Sequence, residues 1–95
     1  MSDAVTEHYE GQVVAGPGGV MTDEVGVVTG DLTIRTEATD DAAHVTVQYV
    51  GADEWYTLTG SPIPLKGRTV EQVHQAVLKA AAAGHEGGVT GDQAH

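Results

Sequence analysis

One stretch near the carboxyl end breaks the rhythm of the rest of the chain. Thr69-Val70-Glu71-Gln72 has the S/T-x-x-E/Q form of a helix capping box, Ala80 to Ala83 are strong helix formers, and Gly84 supplies a stop. Val70, Val73, Val77, Leu78 and Ala81 recur at helical spacing while Glu71, Gln72, Gln75 and Lys79 project elsewhere. The spacing predicts an amphipathic helix from about Val70 to Ala83 with one stripe for a sheet and one for water. Upstream, short runs rich in Val and Thr are separated by turn residues. Strands first and a helix last specify an α+β fold, an antiparallel β-meander of four to five strands with one C-terminal α-helix packed on one face.

The clearest hairpin joins residues 44–50 to residues 55–60 through a four-residue loop, Gly51-Ala52-Asp53-Glu54. It would pair Val50 with Trp55, Tyr49 with Tyr56 and Val47 with Leu58. Alternation then puts Val45, Val47, Tyr49, Tyr56 and Leu58 on an apolar face, with Thr46, Gln48, Thr57, Thr59, Val50 and Trp55 on the other. A second hairpin is expected over residues 25–36, turning at Gly30-Asp31, with residues 37–43 as a wider connection. A strand near residues 9–15 would lie at an edge, weakened by Gly11. Ser61-Pro62-Ile63-Pro64 reads as a stiff, extended link to the helix.

Residues 1–7 and 84–95 are polar, Gly-rich or charged without sustained periodicity, so they read as flexible tails around a single domain over residues 8–83. The core has to be made of valine. Leu, Ile and Val supply 20 of 95 residues and Phe is absent, barely above the roughly 20% at which disorder becomes the default.

Charge narrows the partners. Four Lys and Arg against fourteen Asp and Glu give a net charge of −10, a sign that repels nucleic-acid phosphates and anionic membranes. Arg35, Lys66, Arg68 and Lys79 are too scattered to make a groove. With no apolar run of about 18 residues and no basic leader, the expectation is a cytoplasmic protein. The charge favours a protein partner with a basic surface patch, and association would be steered electrostatically. The edge strand or the Thr-rich face leaves homodimerisation open.

Trp55 is the foremost candidate contact residue, since the hairpin register puts the sole tryptophan on a face otherwise largely Thr and Gln. Val50 and Thr57 share that face, and Asp53 and Glu54 in the adjoining loop would favour a basic partner. The plainer account of Trp55 is a ring covering the rim of its own core. A different class of function, a small-ligand or metal-binding domain, would use a cleft between helix and sheet with His74, Tyr49 and Tyr56 as its polar groups. His74 as a hydrogen-bonded boundary residue is the alternative.

Catalytic and cofactor signals are weak. Without cysteine there is no thiol nucleophile or thiolate ligand, and His8, His44, His74, His85 and His95 include no HExxH or close H-x3-5-H spacing. No metal site or cofactor is therefore expected. Gly16-Pro17-Gly18-Gly19 lacks the Lys-Ser/Thr pair of a phosphate loop and reads as a mobile connection. Ser2 and Ser61 have no local base, and the pairs Asp23-Glu24 and Asp40-Asp41 are neighbours whose side chains usually diverge. The sequence points to a non-enzymatic interaction module, an accessory, regulatory or inhibitor-type subunit.

Overall fold

A computed structural model describes residues 7–94. Its strands are β1 (His8–Val14), β2 (Val20–Thr22), β3 (Gly26–Val28), β4 (Asp31–Thr39), β5 (Ala42–Tyr49), β6 (Tyr56–Thr57) and β7 (Ile63–Pro64), followed by α1 (Val70–Ala83) and a 3-10 turn over Gly91–Ala94. The main sheet runs β1-β4-β5-β6, with β7 also pairing β5, while β2 and β3 form a separate antiparallel pair. This is the α+β meander with a helix near the carboxyl end. The strand near residue 9 exists, and it lies at an edge.

The long central hairpin follows from alternation. Leu32, Ile34 and Thr36 of β4 and Ala43, Val45 and Val47 of β5 are all fully buried, whereas Thr33, Arg35, His44 and Thr46 between them are only partly covered. A two-residue turn at Asp40-Asp41, with Asp40 at φ 51, joins Thr39 to Ala42. The acidic stretch expected to form a wide connection is thus mostly strand. The predicted turn at Gly30-Asp31 does not form a hairpin either, because β3 pairs with β2 instead of β4. Thr22 explains the preference: its Oγ1 donates to Gly26 O at 2.7 Å and accepts from Val25 N at 3.3 Å, closing a tighter turn within residues 22–26.

β5 and β6 pair Val47 with Tyr56, two residues from the expected Val47–Leu58 partnership. An even slip preserves both faces, so the sorting of side chains survives the change. The connection is longer than four residues, and Leu58 N reaches Val45 O at 3.0 Å, which seats Leu58 fully inside.

The helix occupies its predicted span. Thr69 Oγ1 accepts from Gln72 N, and Gln72 returns the bond to Thr69 N, completing the capping box. Val70, Val73, Val77 and Ala81 face the sheet; Leu78 sits at the margin, against Gly11 of β1. A side chain at position 11 would press on Leu78 Cδ1 at 3.0 Å, so Gly11, which made the strand look doubtful, is what lets the helix settle there.

Two segments read as loose are packed. Gly16 N donates to Ala81 O at 2.8 Å and His85 N to Pro17 O at 3.0 Å, so the Gly16–Gly19 loop satisfies the carbonyl end of α1 and is no free connection. A Cβ on Gly16 would collide with the helix backbone. Beyond Gly84 the chain returns to the core: Val89 is 1% exposed beside Val20, and Ala94 is 2% exposed. Arg68 fastens this end, donating from Nη1 to Ala94 O at 2.6 Å, from Nε to Leu65 O at 3.1 Å and from Nη2 to Pro64 O at 3.2 Å. The expected carboxyl-terminal tail is therefore part of the domain through Ala94. Two small apolar anchors, Val89 and Ala94, too widely spaced to show a period, hid it in the sequence. The expected amino-terminal tail lies, apart from Glu7, outside the described residues.

Candidate interaction surface

The end of the β5–β6 hairpin gathers three of the four aromatic side chains of the chain, Tyr49, Trp55 and Tyr56. Strand parity divides them. Val50 N continues the ladder to Asp31 O at 3.1 Å, which keeps Val50 on the face of Gln48 and Thr46, and Trp55 falls on that same face. Tyr49 and Tyr56 project from the opposite side, past the limit of the core, with Tyr49 at 41% exposure and Val50 at 45%. Asp53 and Glu54, in the loop that joins the two strands, are exposed.

Trp55 is half-buried, and it lies on the polar face as the register predicts, not over the core. The Arg35 guanidinium holds it there, with Cζ 5.5 Å from the ring centroid. Arg35 has a second anchor, since its Nε lies 3.2 Å from Glu10 Oε2, across the β1–β4 pair. That nitrogen is shielded from solvent and makes no well-angled hydrogen bond, so the Glu10 contact acts through charge. A row of Glu10, Arg35 and Trp55 thus crosses the open face. One cation among these groups is already balanced.

Thr57, a predicted contact, is committed elsewhere. Its N donates to Glu24 Oε1 at 2.7 Å and its Oγ1 to Glu24 Oε2 at 2.8 Å, while Thr59 Oγ1 donates to Asp23 Oδ1 at 2.8 Å. The Asp23-Glu24 pair, weak as an acid/base pair, is a structural clip between the β2–β3 turn and β6. Those hydrogen bonds to Thr57 lower the Glu24 pKa. Glu24 also brings a further carboxylate to the hairpin. Together with the Tyr56 hydroxyl donating to Glu54 Oε1 at 2.9 Å, it contributes to raising the Tyr56 pKa, the Glu54 hydrogen bond being the largest cause. Nothing local in the sequence links residues 24 and 57.

His74 keeps different company from that expected. It is 2% exposed, with Nδ1 2.8 Å from Thr36 Oγ1 in a buried hydrogen bond. The Tyr9 ring stacks on it at 5.8 Å, and Nε2 lies over Gly11. Tyr49 pairs with Leu32, four residues along β4 from Thr36, about 13 Å at the rise of a strand. The Tyr56 hydroxyl belongs to Glu54. The structure therefore does not bring His74, Tyr49 and Tyr56 into one cleft. Desolvation pushes the His74 pKa down, opposed by the charge of Glu71. Tyr9 is the partner that sequence reading missed, and its hydroxyl donates to Glu7 Oε2 at 2.6 Å, which drives its pKa up to about 12.

Among the described residues, no three His, Cys, Asp or Glu side chains are grouped to hold a metal, and no helix is long and apolar enough to cross a membrane. One surface depression of about 250 Å³ is bordered by Gln12, Val13, Val14, Asp31 and Val50. Comparisons with protein-family models, with curated proteins and with solved structures return no match.

Proposed function

We propose that this chain is a small non-enzymatic interaction module that binds a basic segment of a protein partner at the end of the β5–β6 hairpin. The carrying observation is the concentration there of Tyr49, Val50, Trp55 and Tyr56 around Asp53, Glu54 and Glu24. Aromatic rings supply contact area at little entropic cost, and Trp and Tyr dominate interface hot spots. The surrounding carboxylates select the sign of the partner. Arg35, the cation beneath Trp55, is offset by Glu10 and does not reverse it. A partner lysine or arginine set between the rings and the carboxylates would gain from both.

The test is an affinity capture from the native host's lysate with wild type, Trp55→Ala and Asp53→Asn/Glu54→Gln baits, followed by identification of the retained protein. The expected result is a partner with a basic surface that wild type retains and salt elutes, and that both variants bind about 30-fold or more weakly, the size of a lost hot spot. Equal retention by all three baits would place binding elsewhere. An acidic partner would overturn the charge argument.

A further inference from the structure

The two edges of the main sheet are finished differently. At β6, Glu24 takes up Thr57 N, Asp23 N donates to Thr57 O at 3.0 Å, and Thr59 N donates to Met21 O at 3.0 Å. At β1, β4 is the one strand neighbour among the described residues. Bond parity identifies which groups of β1 face outward. Ala38 N donates to Glu7 O and Ala15 N to Gly30 O, each at 2.9 Å. Because both bonds belong to the same antiparallel ladder, Tyr9, Gly11 and Val13 exchange bonds with β4. The amides and carbonyls of Glu10, Gln12 and Val14 then point away from the sheet. An open edge of this kind is a template for another strand.

We infer that β1 is the contact of a twofold homodimer, in which two copies pair β1 to β1, antiparallel, into one continuous sheet. Centring the axis on Gly11, the midpoint of the seven-residue strand, sets Glu10 opposite Gln12 of the partner subunit. Glu10 and Gln12 then exchange backbone bonds across the axis, and the glutamine amide can donate to the carboxylate. Centring on Glu10 would oppose two like charges.

The charge of the strip argues against a basic foreign segment, while the Glu10–Gln12 match across a twofold axis favours a second copy. On a chain of net charge −10, the one carboxylate within β1 already lies beside Arg35. The strip therefore offers no unbalanced charge to select a basic segment, unlike the hairpin end. Val14, 67% exposed, adds apolar surface at the seam. Residual repulsion between the two acidic bodies gives the dimer a salt dependence opposite in sign to that of a basic partner.

Sedimentation equilibrium of the full chain, from micromolar to millimolar concentration at low and high salt, tests this. Wild type is expected to approach twice its 9.8 kDa mass, more readily at high salt. Gln12→Glu sets added carboxylates against Glu10, and Gln12→Pro removes an outward N–H that the monomer does not use. Each should weaken association at least about tenfold with the far-UV circular dichroism unchanged. If Gln12→Pro disturbs the fold, Gln12→Glu decides. A wild type that stays at 9.8 kDa throughout overturns the proposal, as does a dimer indifferent to Gln12→Glu. Neither result bears on the hairpin surface, which a monomer presents equally well.

Discussion

His74 illustrates how a single side chain can be placed correctly and still have its environment misread. Its position on the apolar helix stripe was legible, since it falls between Val70 and Leu78 at helical spacing. Its partners were not, because Thr36 and Tyr9 belong to strands 38 and 65 residues away and only the register of β1 on β4 brings them beneath the helix. Burial has a measurable consequence. The native state holds His74 neutral with a pKa below the ordinary 6.5, while the unfolded chain takes up the proton near that value. The unfolded state therefore binds more protons just below 6.5, so stability is complete above that pH and falls as pH descends towards the native pKa. Glu71 on the same helix and Tyr9, joined to Glu7, from β1 are the titratable groups around it. The expected outcome is that the melting temperature of wild type falls more steeply between pH 7 and pH 5 than that of His74→Gln. Relief of the general acidic repulsion acts on both chains, so the difference between them reports His74. Parallel melting curves would show that the imidazole does not titrate with folding.

At the scale of elements, local signals succeeded where the chemistry was local. The capping box, the alanine run and Gly84 fixed α1, and alternation fixed which side chains of β5 and β6 share a face even though their register moved by two. Two of the errors concerned segments ordered by a distant element: the Gly16–Gly19 loop is held by the end of α1, and residues 84–94 return to pair Val89 with Val20. The others were local, where Thr22 closes a tight turn that pairs β3 with β2 and Asp40-Asp41 makes a two-residue turn between β4 and β5. Gly-rich composition signals turns and close approach as readily as disorder, and the two differ only in what lies opposite. The same holds for the candidate surface: Trp55, Val50, Asp53 and Glu54 were legible from the hairpin pattern, but the Arg35 and Glu10 support and the engagement of Thr57 by Glu24 were not. If the carboxyl-terminal segment is core, Val89→Ala should cost about 2 kcal/mol, the scale of two methyl groups removed from a packed interior. Urea unfolding measures this, and a loss within a few tenths of a kcal/mol would return the segment to the status of a tail.

The whole molecule is an acidic body with two distinct edges and one aromatic hairpin end. Its charge sets the long-range behaviour: approach to a basic partner is accelerated, approach to a second copy is slowed, and added salt moves the two in opposite directions. Its architecture sets the short-range behaviour, since the helix covers one face of the sheet and leaves the hairpin end to present rings and carboxylates together. Trp55, the sole tryptophan, makes that surface directly observable. The most direct test of the account is a titration of Trp55 fluorescence with a soluble peptide rich in arginine and lysine, repeated at increasing salt and with Asp53→Asn/Glu54→Gln. The account predicts a saturable change in emission that weakens with salt, is reduced by the double substitution and is absent with an acidic peptide of equal length. Calorimetric binding of the basic peptide that leaves Trp55 emission unchanged, or a response indifferent to Asp53 and Glu54, would contradict it.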